Sequence, residues 1–144
     1  MRAVLPRVVV STACVLAVSA CLKSTEPQPS LLQLQGTWSY TGVQTSPILE
    51  NLSGTLTISR ESGTSFQGRL TVTATNTQTG QSTLLDGLVS GAESGQVIDF
   101  DANLESNPRR HVGQIVADTI SGTWVGSTTS GTTSSGTFRV ERQQ

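Results

Sequence analysis

The chain is poor in residues that carry chemistry, and those it has are badly spaced for it. His111 is the single histidine among 144 residues. A Ser-His-Asp triad would need it as the base, yet it follows Pro108, Arg109 and Arg110 at what reads as a turn into a strand. No serine sits in a Gly-x-Ser-x-Gly elbow. The expectation is a surface histidine at a strand start. Asp99, Asp101 and Asn103 match the first three side-chain positions of a calcium loop. The match then fails, because Leu104 replaces the turn glycine and Arg110 stands where the bidentate glutamate belongs. On a strand these three side chains share one wet face, where nothing raises a carboxylate pKa for acid–base work. Phosphate-binding glycine loops and basic–aromatic patches for nucleic acid are also absent from the sequence. These residues point to a non-enzymatic protein with no catalytic residue, no metal and no cofactor.

The two cysteines, Cys14 and Cys21, both lie in a distinct N-terminal segment. Arg2 and Arg7 give it a positive start, and residues 8–20 form a short apolar run ending in small residues. A helix over that run would span roughly 20 Å, short of a hydrocarbon core of roughly 30 Å. This is the pattern of a secretory signal peptide and not of a spanning helix. Its end, Val18-Ser19-Ala20-Cys21, resembles the lipobox of bacterial lipoproteins. That resemblance implies cleavage before Cys21, fatty acylation of its thiol and a membrane anchor in the cell envelope. Leu22, in place of an aspartate, implies the outer membrane over the inner one. Cys14 would leave with the signal and Cys21 would carry lipid, so the exported domain would have neither a disulfide nor a cysteine–histidine zinc site. Loss of Arg2 and Arg7 takes the formal net charge from −1 to −3, with no charged block that would act as an interaction tail.

Residues 22–30, interrupted by Pro27 and Pro29, read as an extended tether. Ser30 and Gln33 have the spacing of a capping box for a single helical turn carrying Leu31, Leu32 and Leu34. From Gly36 onward the period is two. Trp38 and Tyr40 alternate with Thr37, Ser39 and Thr41, and Leu56 and Ile58 alternate with Thr55 and Thr57. Phe66, Leu70, Val72 and Ala74 alternate with Gln67, Arg69, Thr71 and Thr73. The same holds around Ile98–Leu104, Ile120–Gly126 and Gly136–Val140. Strict alternation marks strands with one dry and one wet face. Residues 82–90 and 110–117 are strand-like but leave their inward face open. Ser46-Pro47 suits the start of a helical turn between the first two strands. Residues 126–136, all Gly, Ser and Thr, read as a flexible hairpin loop.

The expected architecture is all-β. It is an eight-stranded antiparallel up-and-down β-barrel over residues 36–144, after a signal peptide (1–20) and a segment (21–35) of lipidated cysteine, tether and short turn. Closure removes unpaired edges, and eight strands enclose room for side chains or one small ligand. A two-sheet sandwich is the rival. Gly36-Thr37-Trp38 opening the first strand after a short apolar turn resembles the calycins, the lipocalins and avidins. That resemblance implies a tryptophan at the closed end with a basic residue, Arg139 or Arg142, lying across it. The second lipocalin motif is missing, so no ligand residues carry over.

Two functions follow as expectations. The first is a lipid-anchored barrel binding a small apolar ligand, with Trp38, Tyr40 and Trp124 as candidate lining residues that equally suit a packed core. The second is an envelope protein–protein interaction module or enzyme inhibitor.

Overall fold

The computed structural model describes residues 33–127 and 131–144, with Arg60 described by its backbone alone. The expected signal peptide, Cys21, the tether, Leu31 and Leu32 lie outside the described residues. The expected helical turn at 30–33 falls almost wholly outside them, and residues 33–35 are not helical.

The chain forms eight strands in order: β1 (Gly36–Ser46), β2 (Glu50–Ser62), β3 (Ser65–Asn76), β4 (Ser82–Ser94), β5 (Val97–Leu104), β6 (Asn107–Val116), β7 (Thr119–Ser127) and β8 (Thr133–Arg142). Each pairs antiparallel with the next, and β8 returns to pair with β1, closing the barrel. The seam runs from Trp38 opposite Arg142 to Gln44 opposite Gly136. Four connections need only two residues. Glu105 and Ser106 both take positive φ, 48° and 66°, as a primed hairpin turn requires.

Alternation places Leu56, Leu70, Phe100, Ile120 and Val140 inside, each no more than 1 % exposed. The barrel curls tightly because several inward positions are glycine. A methyl group on Gly87 would stand 1.9 Å from the Asn103 carbonyl oxygen across the β4–β5 pair. Gly122 and Gly113 face each other on β7 and β6, and a methyl on Gly122 would stand 2.5 Å from the Gly113 Cα. Such positions let adjacent strands coil in a way a flat sheet cannot.

Two local expectations are corrected, and the inward face of β4, left open by the sequence, is settled. The β1–β2 connection is only Pro47, Ile48 and Leu49, because Gln44 and Glu50 already pair; this leaves no room for a helical turn, and Ser46-Pro47 is cis. The segment read as a turn at 106–108 contributes Asn107 and Pro108 to β6, where they pair with Leu104 and Asn103. Pro108 is tolerated there because it lies at the first end of the strand, before pairing with β7 begins at Arg109. In β4, Leu85, Gly87 and Val89 face inward while Leu84 and Leu88 face solvent, 64 % and 68 % exposed.

Gly87→Ala should lower stability by about 1–3 kcal/mol, since a backbone carbonyl cannot give way as a side chain does. Urea denaturation measures it, and a change below about 0.5 kcal/mol would contradict the close approach, being ordinary for a surface site.

Candidate functional site

The barrel has two unlike ends. At the first, where the chain enters, Leu34 is buried and Trp38 Nε1 donates to its carbonyl at 2.9 Å. Arg142 lies over the Trp38 ring, 4.3 Å from Cζ to the centroid, and its guanidinium donates to the Gln33 and Gln35 carbonyls. Of the two arginines expected here, Arg142 takes this place; Arg139 faces outward and pairs with Glu141 at 2.6 Å. Glu61 accepts from the backbone N–H groups of Leu34 and Gln35 at 2.7 and 3.1 Å. Glu93 is buried nearby with Oε2 unpartnered among the described residues. Burial and the Glu61 charge push its carboxyl above the usual range. These contacts close this end.

A layer of aromatic rings fills the waist. Phe100 stacks on His111 at 4.5 Å, Phe138 meets His111 edge-on at 5.0 Å, and Tyr40 stacks on Phe138 at 6.2 Å. His111 is therefore the reverse of the surface residue expected from its neighbours. Because β6 starts at Asn107, positions 107, 109, 111, 113 and 115 form its inner face, and His111 is 1 % exposed. Its Nδ1 donates to the Arg109 carbonyl at 2.9 Å, and its Nε2 accepts the Tyr40 hydroxyl at 3.2 Å. Both ring nitrogens are thus satisfied by a neutral imidazole. Burial drives its pKa from 6.5 down to about 4, and burial likewise pushes the Tyr40 phenol well up. A neutral, doubly bonded histidine inside an aromatic layer is a core element with no proton to trade near neutrality.

The opposite end is a mouth. A cavity of about 200 Å³ opens there, lined by Gln44, Pro47, Ile48, Glu50, Asn107, Arg109, Ser127 and Ser134. Gln44 and Ser134 are buried polar residues on inward positions of β1 and β8. The Gln44 amide nitrogen donates to Glu50 at 2.9 Å and to the Ile48 carbonyl at 3.2 Å. Arg109 lies half-buried with Cζ 4.7 Å from the centroid of the Trp124 ring. Gly126, opposite it on β7, makes this possible, since a methyl there would stand 2.8 Å from Arg109 Cγ. Burial lowers the Arg109 pKa, offset in part by the charge of Glu50. Trp124 Nε1 is buried and has no acceptor among the described residues. A buried donor left unpaired costs about 1–3 kcal/mol.

The three aromatic residues singled out from the sequence do not form one lining. Trp38 seals the closed end, Tyr40 belongs to the waist, and Trp124 alone lies under the mouth. Each is at most 2 % exposed. Asp99 and Asp101 lie on the outer face of β5, where Asp99 pairs with Arg110 at 2.6 Å. Among the described residues no group of three or more His, Cys, Asp or Glu side chains could hold a metal ion. Sequence reasoning missed Gln44, Arg109 and Ser134. For Gln44 and Ser134 the signal was parity, since each is a polar residue whose neighbouring inward positions are apolar or glycine; Arg109 shares its inner face with Asn107 and His111, and parity did not mark it.

No protein-family model matches the chain, and no curated protein does. Solved structures do. A barrel described as EF1p2_mFAP2b bound to DFHBI superposes with a TM-score of 0.61 at 13 % identity, over 76 % of this chain and 94 % of that one. The redesigned β-barrel mFAP1, bound to DFHBI, gives 0.55 at 15 % identity over 76 % and 94 %. A fluorescence-activating β-barrel of de novo design gives 0.51 at 16 % identity over 76 % and 93 %. At these identities the likeness shows the fold alone: a closed antiparallel up-and-down β-barrel.

The His111 pKa implies a pH dependence of known sign. Between pH 6.5 and about 4 the unfolded chain takes up a proton that the folded chain refuses, so stability falls as pH drops through that window. The full loss is about 3 kcal/mol at 1.36 kcal/mol per pKa unit. Glu93, with its raised pKa, acts in the opposite direction. His111→Gln should therefore show a flatter stability–pH curve than the parent by denaturant melts from pH 7 to 4.5. Equal slopes would contradict a buried neutral imidazole.

Proposed function

We propose that this protein is a non-enzymatic lipoprotein of the bacterial cell envelope, anchored through a lipid on Cys21, whose barrel binds a small ligand at its open mouth. The observation that carries the binding part is the asymmetry of the ends. One end is closed by Trp38, Arg142 and the entering chain, whereas the other holds a cavity with a polar floor. Barrels of the same fold bind a dye, which supports this architecture as a holder of small molecules without saying which one. The interior itself is occupied by side chains, so the ligand sits in the mouth and not deep in a hollow core. Ile48 and Leu49, about half exposed at the rim, offer it an apolar surface. The ligand is thus amphipathic, with Trp124 the one expected aromatic placed to meet it.

The anchoring part rests on the lipobox at Val18–Cys21. The chain enters the barrel at its closed end, so a tether there leaves the mouth unobstructed. A second reading, an envelope protein-binding module, is favoured by Leu84 and Leu88 on the outer face of β4, both more than 60 % exposed. A partner seated on that face would remove both side chains from water.

Metabolic labelling with an alkyne fatty acid in a bacterial host tests the anchor. Label should appear on the full chain, persist in Cys14→Ser and vanish in Cys21→Ser, with the protein moving from membrane to soluble fraction. Label on Cys14, or none at all, would contradict the proposal.

A further inference from the structure

We propose that the mouth is a carboxylate site, in which the Arg109 guanidinium supplies the charge and Trp124 Nε1 the hydrogen bond. This deepens the ligand-binding reading above and rests on it. Arg109 is a half-buried cation with no ion pair or side-chain hydrogen bond among the described residues; its guanidinium lies over the indole face of Trp124. Arg69, Arg110, Arg139 and Arg142 differ, since each meets a carboxylate on the outside or at the closed end. A charge drawn partly out of water with no carboxylate in direct contact is costly to keep, and an anion that pairs with the guanidinium relieves that cost.

Trp124 Nε1 is the second, independent observation. It is buried and unpartnered, and it lies over Gly136, where a methyl group would stand 2.8 Å away. Gly136 is the same-face neighbour of Ser134 and the cross-strand partner of Gln44, and both of those line the cavity. The donor therefore lies behind the cavity lining, on the indole that Arg109 covers. An anion pairing with the guanidinium draws it off the ring face and opens the way to Nε1.

The charge balance selects the anion. Glu50 lines the same cavity and is held there by Gln44. The Glu50 charge penalises each negative charge brought into the cavity, so a monoanion that pairs with Arg109 is favoured over a dianion. A cavity of about 200 Å³ takes a carboxylate and a few carbons, with Ile48 at the rim for the apolar part. The ligand class is a small aliphatic carboxylate.

Calorimetric titration of the full chain in detergent with hexanoate, hexanol and inorganic phosphate tests this. Saturable binding of hexanoate is expected, at least tenfold tighter than hexanol or phosphate. It should be lost in Arg109→Gln, retained in Arg109→Lys and weakened in Trp124→Phe, each variant first shown to melt cooperatively. Tryptophan emission should change with hexanoate in the parent and not in Trp124→Phe. Equal binding of hexanol, unaffected by Arg109→Gln, would overturn the carboxylate site and leave the ligand-binding reading standing. Phosphate binding as tightly as hexanoate would overturn the choice of carboxylate. Binding of none of the three would overturn both.

Discussion

Strand β1 bonds to β2 along one side and to β8 along the other, and that second pairing is what gives the molecule an inside. Without it, eight strands of alternating residues would leave two edges of unsatisfied backbone groups and an apolar face with nothing to cover it. With it, every inward side chain faces others across a common axis. The seam also brings together groups far apart in the chain. Trp38 meets Arg142 at one end, and Gln44 meets Gly136 near the other, beside Trp124 from β7.

Closure forces a tight radius, and the sequence meets it with inward glycines where strands approach most closely. The space so gained is filled by rings: Phe66, Phe100, Phe138, His111 and Tyr40 form a continuous aromatic layer across the waist. A polar pair survives inside that layer because the Arg109 carbonyl and the Tyr40 hydroxyl satisfy both nitrogens of a neutral imidazole. The mouth follows a different rule. Among the described residues Arg109 makes no ion pair there, and the Trp124 Nε1 beneath it has no acceptor.

Much of this fold is legible in the residue pattern, for a physical reason. Where a strand has one wet face, as in β3 and β5, period-two alternation states its direction outright. The pattern weakens where both faces carry apolar residues: Leu84-Leu85 and Leu88-Val89 in β4 fit either parity, and only pairing with β3 and β5 decides. It misleads at β6, where Pro108 looks like a turn but lies at the strand end, so His111 reads as a surface residue at a strand start when it is an inward one. Ser46-Pro47 likewise has a helix-start composition in a connection too short to hold a turn. The site was the least legible part. Gln44, Arg109 and Ser134 are ordinary polar residues in sequence, and only the closed register places them around one opening. Trp38, Tyr40 and Trp124 were found by size, a property that marks core and site residues alike.

Amide hydrogen exchange across the β1–β8 seam tests the barrel most directly. In a closed barrel no strand is an edge, so the amides of β1 and β8 should exchange only through global opening, with the same protection free energy as those of β3 and β4. Seam amides that exchange orders of magnitude faster than the β3–β4 pair would mean an open sheet, and the shared interior and the mouth built on it would both be lost.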